Sequence, residues 1–259
     1  MKNMSQTILI TGASSGIGAA LACHYAAPGV TLFLGGRDLK RLEMTADTCR
    51  EKGATVYQEI VDVTDQDAMA CWITQSDETR PLDLMIANAG ISGGAGGTKA
   101  VEDPEQARRI FDVNLTGILN TIDPVLPRML ARGAGQIALM SSVAGFSGWP
   151  QAVAYSASKG AVRLYGEGLR GALASRGVRV NVICPGFVET PMTDVNPFVM
   201  PFLMPPDIAA RIIARGLARN RGRIGFPWPT YLCAGLLGML PLSGTLALQT
   251  RLPRKPAMQ

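Results

Sequence analysis

Six short runs of hydrophobic residues recur along the chain, and a longer stretch of mixed polarity separates each run from the next. Within a run the residues are apolar without alternation, which is typical of strands buried on both faces of a parallel sheet. The six predicted strands are residues 7–11, 30–34, 54–61, 82–87, 136–140 and 178–183.

The stretches between these runs are long enough to form crossover helices, notably residues 39–52, 107–132 and 157–176. Repeated strand and helix units predict an α/β fold, with a doubly wound parallel sheet of the Rossmann type in three α/β/α layers. The glycine-rich residues 91–97 are expected to form a loop at the end of a strand, where such sheets have their ligand crevice.

The composition limits the class of protein. The chain has 259 residues, of which 47% are hydrophobic, and this excludes a disordered tail and a disulfide-stabilised miniprotein. Its five cysteines lie far apart without C-x-x-C spacing, so they predict reduced thiols and neither a disulfide framework nor a metal site. The apolar N-terminal stretch is too short for a signal peptide, and we expect a cytoplasmic protein.

Positive charge is concentrated near the C-terminus. Residues 203–259 carry eight basic residues and one acid, a net +7, whereas the other 17 basic and 19 acidic residues leave −2 on the rest of the chain. No charged residue occurs between Arg223 and Arg251. We therefore predict a domain over residues 1–223 and an apolar, basic C-terminal extension over residues 224–259.

Three interpretations of this extension stay open: a hairpin on a membrane surface, a contact with another subunit or with a lid, and a true membrane span. Pro241 interrupts the uncharged run and favours two short apolar helices, after a short strand within GRIGFPWP. Arg251, Arg254 and Lys255 suit anionic lipid head groups. The basic residues lack interleaved aromatics, so no nucleic-acid partner is expected.

The first predicted strand leads into the turn TGASSGIG, which contains Gly12, Gly16 and Gly18 and precedes a helical segment. Glycines permit close approach of the backbone, and a helix N-terminus binds phosphate. A plain strand-to-helix turn is the alternative, because the spacing is not the common G-x-G-x-x-G. Ser14 also matches the G-x-S-x-G of hydrolases, but the single histidine, His24, follows with no acid between them, so a hydrolase is set aside.

Tyr155 and Lys159 are spaced i, i+4 in the run YSASKG, which places them on one face of a helix. A phenol with a pKa of about 10 is a poor base, but a neighbouring ammonium stabilises the phenolate. The pair can therefore donate and accept a proton. A chance surface pair is the alternative, and an acylating S-x-x-K serine at Ser156 is set aside because S-D-N and K-T-G are absent.

Taken together, these motifs resemble the short-chain dehydrogenase/reductase family in order and spacing over about residues 5–195. The matching motifs are TGASSGIG, NAG at Asn88, NLTG at Asn114, SSVAG at Ser142, YSASK, and PGFVET from Pro185 to Thr190.

The resemblance implies a hydride-transferring oxidoreductase, with a nicotinamide nucleotide across the carboxyl ends of the strands and a carbonyl or alcohol substrate. It implies that Tyr155 is the acid/base, that Lys159 lowers its pKa and binds the nicotinamide ribose, and that Ser142 binds the substrate oxygen. Asn114 would support a water that links Lys159 to solvent. The alternative is a catalytically silent regulatory or membrane-surface protein on the same fold.

The preferred cofactor follows from the end of the second strand. Arg37 stands there where an acid would bind the ribose hydroxyls of NAD, and with Ser14 and Ser15 it favours the 2′-phosphate of NADP. The alternative is a solvated arginine that begins the next helix. Asp38 lies past the discriminating position by resemblance to the family.

Other cofactor contacts are implied by position in the matching motifs. They are Gly12, Ile17, Asp62, Val63, Asn88, Tyr155, Lys159, Val188 and Thr190. Asp62 has an equally weighted alternative, a cap that precedes a helix.

Residues 190–206 correspond to the family's substrate loop, and they predict an apolar substrate or, alternatively, a loop packed on the body. The apolar residues in question are Phe198, Met200, Phe202, Leu203 and Met204. The resemblance also implies a homodimer or homotetramer formed through the helices at 107–132 and 157–176.

Overall fold

The computed structural model describes residues 6–96, 101–241, 245 and 256–257. Seven parallel strands form one sheet in the order β3-β2-β1-β4-β5-β6-β7. The strands are β1 (Thr7–Thr11), β2 (Thr31–Gly36), β3 (Thr55–Ile60), β4 (Leu84–Ala87), β5 (Gly135–Met140), β6 (Val178–Pro185) and β7 (Arg223–Phe226). The predicted doubly wound α/β fold is confirmed.

Helices cover both faces of the sheet, and a hydrophobic core lies on each side of it. The helices are α1 (Gly16–Tyr25), α2 (Leu39–Glu51), α3 (Gln66–Thr79), α4 (Pro104–Phe111), α5 (Gly117–Ile122), α6 (Leu126–Arg132), α7 (Val153–Ala172), α8 (Pro191–Asp194), α9 (Pro206–Ala218) and α10 (Trp228–Met239). The predicted helix at 107–132 is several pieces, with a π-helical segment, Asp112–Thr116, between α4 and α5.

The strand order reverses between β1 and β4. β1 pairs with β2 on one side and with β4 on the other, so the chain leaves β1 in one direction and crosses back to β4 in the other. The loops that follow these two strands diverge and leave a crevice at the carboxyl edge of the sheet. This crevice is where the site described below lies.

Two predictions about the strands and helices need correction. β3 is not buried on both faces, because it is an edge strand paired only with β2 and leaves Tyr57 and Ile60 about half exposed. α7 begins four residues before the predicted start at residue 157. The carboxylate Oε2 of buried Glu102 accepts a hydrogen bond from the Ala154 N–H at 2.9 Å, so a distant residue stabilises this helix start.

The predicted C-terminal extension begins within the sheet. β7 spans the predicted division between residues 223 and 224, and α10 ends two residues before Pro241, at the predicted break. α10 packs on the active-site side of the body, where the Tyr231 ring meets Phe146 edge to face at 5.5 Å. The second predicted apolar helix falls mostly outside the described residues. In the described parts of the chain, no helix is both long enough and apolar enough to cross a bilayer.

Candidate active site

A cavity of about 460 Å³ opens at the carboxyl edge of the sheet, on both sides of the point where the strand order reverses. It is lined by residues that follow each of the strands from β1 to β6. All the predicted site residues line it except Asn114, which lies just behind its wall. These residues are Gly12, Ser14, Ser15, Ile17, Arg37, Asp62, Val63, Asn88, Ser142, Tyr155, Lys159, Val188 and Thr190.

The glycine turn after β1 has the backbone needed to approach a ligand closely. Gly12 and Gly16 have φ angles of +66° and +55°, which side chains other than glycine rarely adopt. A Cβ atom at Gly18 would overlap the carbonyl of Gly12, so the turn and α1 pack against each other. Gly16 and Ile17, at the N-terminus of α1, line the cavity, and a helix N-terminus suits a phosphate.

Asn88 holds this turn in place from β4. Its Nδ2 donates to the carbonyl oxygens of Thr11 at 3.0 Å and Gly12 at 3.1 Å, while its own N–H donates to Thr11 Oγ1 at 3.1 Å. The Nδ2 group of Asn88 is therefore hydrogen-bonded within the protein. The backbone near Ala89 is what this segment presents to the cavity.

Arg37 follows β2 and faces the cavity across from Ser14. Its guanidinium lies 3.4 Å from the Asp62 carboxylate, and its side chain is 51% exposed. Arg37 does not begin the next helix, because Asp38 is the N-cap of α2 and accepts a hydrogen bond from the Arg41 N–H at 3.0 Å. Arg41 also lines the cavity, so two arginines border this end of it.

Asp62 is not the cap that the sequence offered as an alternative. The N-cap of α3 is Asp65, which accepts from the Ala68 N–H at 2.9 Å. Asp62 instead accepts from the backbone and side chain of Thr64 at 3.0 and 2.9 Å. Partial burial raises the pKa of Asp62, but these hydrogen bonds and the charge of Arg37 outweigh it and lower the pKa overall.

Tyr155 and Ser142 meet at the other end of the cavity. Ser142 follows β5 and Tyr155 lies in the first turn of α7, and their hydroxyl groups are hydrogen-bonded to each other. Burial raises the pKa of Tyr155, and the hydrogen bond with Ser142 offsets only part of this effect. The phenol is therefore protonated at neutral pH and is placed to donate its proton.

Lys159 lies one turn along α7, with Nζ 5.9 Å from the centroid of the Tyr155 ring. Nζ donates to the Met140 carbonyl at 2.9 Å. Burial lowers the pKa of Lys159 to about 8. The resemblance predicts that Lys159 lowers the pKa of Tyr155, and this stays a prediction: the net shift of the Tyr155 pKa is upward because burial of Tyr155 itself is the largest cause.

Asn114 is fully buried in the π-helical segment. Its amide pairs with the backbone of Ile91 in both directions, at 2.8 and 3.0 Å, and donates to Ser158 Oγ at 3.1 Å. A Cβ atom at Gly90 would lie 3.1 Å from Asn114 Oδ1 and 3.2 Å from Lys159 Nζ. The absence of a side chain at Gly90 thus lets Asn114 approach Lys159, while the predicted bridging water stays a prediction.

The segment after β6 closes the cavity on the substrate side. Thr193 Oγ1 donates to the Val188 carbonyl at 2.7 Å, and the Thr190 N–H donates to Thr193 Oγ1 at 2.9 Å. Met204 pairs with the backbone around Val188, which anchors the far end of the loop. The five apolar loop residues named from the sequence do not line the cavity. Met192 and Asn196 of the same segment do.

Residues 6–197 match the family model for short chain dehydrogenase. The chain belongs to the short-chain dehydrogenase family. Members are oxidoreductases that transfer hydride at a carbonyl or alcohol carbon, and this short-chain dehydrogenase is an enzyme of that class.

Relatives of this short-chain dehydrogenase resemble it over nearly the whole chain. An uncharacterized oxidoreductase of Myxococcus xanthus is 41% identical over 244 residues, which cover 93% of this chain and 95% of that protein. A short-chain dehydrogenase from Sphingobium yanoikuyae in complex with NADPH has a TM-score of 0.80 and 27% identity, and the match covers 98% of this chain and 99% of that one. A 3-oxoacyl-[acyl-carrier protein] reductase with bound NAD from Brucella melitensis has a TM-score of 0.74 and 29% identity, with 86% and 90% covered.

The cavity residues of this short-chain dehydrogenase that sequence reasoning missed include Arg41, Trp149, Met192 and Asn196. Arg41 could have been predicted from the sequence, since it lies four residues after Arg37. Trp149 could not have been predicted, because the conformation of the loop between Ser142 and Tyr155 brings it to the cavity. That loop is fixed by a hydrogen bond from the Trp149 N–H to Ser156 Oγ at 3.1 Å.

Proposed function

We propose that this enzyme transfers hydride between NADP(H) and an apolar carbonyl compound or the matching secondary alcohol, with Tyr155, Lys159, Ser142 and Asn114 as its catalytic set. The observation that carries the proposal is the hydrogen-bonded pair of Tyr155 and Ser142 hydroxyls at the cavity wall, with Lys159 one helical turn away. The two hydroxyls converge on one position, where a substrate oxygen would accept from both.

The cavity residues fit a nicotinamide dinucleotide. The glycine turn and the N-terminus of α1 suit the pyrophosphate. Val63 would form an apolar wall for the adenine, and it is held in place because its carbonyl accepts a hydrogen bond from Asn120 Nδ2 at 2.9 Å. Val188 and Thr190 would hold the carboxamide end. When bound, the cofactor supplies or accepts the hydride at its nicotinamide ring.

The protein supplies the proton. In reduction, Tyr155 donates its phenolic proton to the substrate oxygen while Ser142 donates a hydrogen bond to the same atom. The raised pKa of Tyr155 keeps the phenol protonated before the step. Lys159 then lies close enough for its charge to stabilise the phenolate that remains, and Asn114 holds the wall behind it.

The preference for NADP(H) rests on the charges at the adenosine end. Arg37 and Arg41 both border the cavity there. The Ser14 side chain lies close against Gly36: a Cβ atom at Gly36 would be only 3.2 Å from the Ser14 hydroxyl. Two guanidinium groups and a hydroxyl suit a 2′-phosphate. Asp38 lines the same end of the cavity, where it caps α2 and pairs with the Arg41 guanidinium at 3.2 Å.

The preference for an apolar substrate rests on the walls near Tyr155. Beyond the hydroxyls, that end of the cavity is lined mainly by hydrophobic side chains: Val143, Ala144, Trp149, Phe187 and Met192. The indole Nε1 of Trp149 is buried without a hydrogen-bond partner among the described residues.

The test is NADPH oxidation with a panel of ketones and aldehydes. Tyr155→Phe should abolish turnover and leave NADPH binding within about twofold, because the phenol ring remains and only the proton donor is lost. Tyr165→Phe is the matched control: Tyr165 lies on α7 too but packs in the core away from the cavity, and it should retain activity. Turnover by Tyr155→Phe at the rate of the unmodified enzyme would overturn the mechanism. Tight NADPH binding without turnover on any carbonyl would favour a catalytically silent protein.

A further inference from the structure

The helix α10 carries no charge, yet one side of it is exposed. Four of its large apolar side chains are each 50–74% exposed: Trp228, Leu232, Leu236 and Met239. They lie 0, 4, 8 and 11 residues from Trp228, which places them within about a quarter of the helix circumference. We call these four residues the outer face of α10. A helix without a polar side is normally buried, so we expect a partner to cover this face.

The other side of α10 fixes its orientation on the body. The Tyr231 ring meets Phe146 edge to face, with ring centroids 5.5 Å apart, and a Cβ atom at Gly238 would overlap the Phe146 carbonyl oxygen. Phe146 is itself held by the Arg163 guanidinium, which lies 4.7 Å from the centre of its ring. Turning the outer face toward the body would break these contacts, so the face stays directed outward.

The outer face lies near a second exposed apolar segment. α10 follows β7 and the substrate loop follows β6, and because these neighbouring strands are parallel, both segments leave the carboxyl edge of the sheet. The two segments touch at their starts, since a Cβ atom at Gly186 would lie 3.0 Å from Pro227. Residues 195–206 are uncharged like α10, and they leave Val199 92% exposed and Phe202 58% exposed. Apolar surface therefore stands on two sides of the edge where the cavity opens.

The charge of the chain around α10 indicates what covers the outer face. From residue 208 to residue 259 the sequence has eight basic residues and no acid. Three of them follow the uncharged run, namely Arg251, Arg254 and Lys255, which lie outside the described residues. Pro256 comes directly after them, and its carbonyl accepts a hydrogen bond from the Gly94 N–H at 2.8 Å, in the loop after β4. The chain is thus back at the carboxyl edge immediately after its basic cluster.

An apolar face with a tryptophan, next to basic residues and without acids, is complementary to a surface of anionic lipid head groups. A second copy of the chain is less complementary, because two segments of net +7 would then face each other. The twelve residues of α10 span about 18 Å, which is shorter than the hydrocarbon core of a bilayer, so the helix would lie along the surface.

We propose that the outer face of α10 docks on the surface of a bilayer that contains anionic lipids. The body takes the place of the polar side of an interfacial helix, because Tyr231 and Gly238 hold the opposite side of α10 on Phe146. Docking in this orientation brings the carboxyl edge of the sheet, where the cavity opens, close to the bilayer.

The experiment is sedimentation of the full-length protein with sucrose-loaded vesicles. One set of vesicles is an equal mixture of phosphatidylcholine and phosphatidylglycerol, and the other is phosphatidylcholine alone. We expect stronger binding to the anionic vesicles, and this binding should weaken at high salt. Trp228→Ser combined with Met239→Ser should weaken it by at least about tenfold, because two exposed apolar side chains are lost. Met44→Ser is the matched control: Met44 is 64% exposed on α2, and the variant should bind like the unmodified protein.

Trp228→Phe gives a second measurement that does not depend on a destabilising change. It keeps an aromatic side chain and removes the indole, so binding to the anionic vesicles should change little. The vesicles should shift the tryptophan emission of the unmodified protein to shorter wavelength. Trp228→Phe should lose most of this shift, because Trp72 is buried in the core.

Four results would overturn the proposal. The unmodified protein could stay in the supernatant with anionic vesicles, or the double serine variant could bind them as well as the unmodified protein does. The double variant could instead break up an oligomer of a protein that ignores vesicles, which would assign the outer face to a second copy. Finally, acrylamide could fail to quench Trp228 in the free protein, which would show that the chain itself covers the face.

Discussion

Replacing Arg37 with alanine tests the cofactor preference directly. The 2′-phosphate is the difference between NADPH and NADH, and Arg37 follows Gly36, which lies against Ser14, at the end of the cavity proposed for this phosphate. A hydrogen bond to a charged group contributes about 1.5–3 kcal/mol. Because the Arg37 side chain is 51% exposed and therefore screened by solvent, about 1–2 kcal/mol is expected here.

This energy corresponds to a rise of about 5- to 30-fold in the KM for NADPH, at 1.4 kcal/mol for each factor of ten. The KM for NADH should change by less than about twofold, because NADH has no phosphate at this position. Loss of Arg37 also leaves the Asp62 carboxylate, now 3.4 Å from the guanidinium, unpaired near the phosphate. Its repulsion acts on NADPH in the same direction.

Asp62→Asn separates the two effects, because it removes the repulsion and releases Arg37 from its ion pair. This variant should lower the KM for NADPH, opposite to Arg37→Ala. Arg50→Ala is the control: Arg50 also lies on the surface near α2, pairs with Asp47 at 2.8 Å, and does not line the cavity. Steady-state kinetics with one carbonyl substrate give the KM for NADPH and the KM for NADH of the unmodified enzyme and of each variant. Equal changes for NADPH and NADH in Arg37→Ala would refute the assignment.

Three further predictions concern the structure that supports the site. Asn88→Ala removes two hydrogen bonds to the glycine turn, so urea unfolding should show a free energy of unfolding lower by about 2 kcal/mol. The KM for NADPH and the KM for NADH should rise alike. An unchanged free energy of unfolding would contradict this prediction. Lys159 has a folded-state pKa of about 8 against an ordinary 10.5, so the unfolded chain binds more protons than the folded chain between these two pH values. The free energy of unfolding of the wild-type protein, relative to that of Lys159→Met, should therefore rise with pH across this window. A difference that does not change with pH would argue against a buried lysine with a lowered pKa. Glu102→Ala removes the hydrogen-bond acceptor at the start of α7 and should lower the free energy of unfolding in urea by about 1–2 kcal/mol, whereas Glu102→Gln should lower it less. Equal losses in the two variants would show that the capping hydrogen bond is unimportant.

The strands and part of the cavity lining could be predicted from the same local signal. A buried parallel strand is a continuous apolar run, and the residue after each run lies at the carboxyl edge of the sheet. This signal predicts Gly12 and Arg37 at the crevice, whereas Asn88 is implied by resemblance to the family, and all three line the cavity. The exposure of β3 was not predictable in this way, because it depends on strand order and not on the run itself.

The substrate side was less predictable because it is built by loops. Trp149, Met192 and Asn196 reach the cavity through loop conformations that hydrogen bonds at Ser156 and Thr193 fix. The composition of the loop predicts an apolar surface for the substrate, yet Phe202 is 58% exposed and Phe198 packs against Phe187 with ring centroids 6.1 Å apart. Composition indicated an apolar substrate loop but not which of its side chains face the cavity.

The basic C-terminal segment has two parts with different physical roles. In the first part, charges are used within the fold: Arg211 pairs with Asp207 at 3.0 Å, and Arg223 pairs with Glu167 at 2.8 Å. In the second part, α10 is uncharged and leaves Trp228 and Met239 each 74% exposed, while Tyr231 packs on Phe146 in the turn after Ser142. Of these two arginines of the 203–259 segment, Arg223 is thus paired with an acid of the preceding part of the chain, and Arg211 with the single acid of the segment itself. What distinguishes the end of the chain is an apolar helix, seated beside the turn that carries Ser142, so any partner that covers α10 would lie against the wall of the active site.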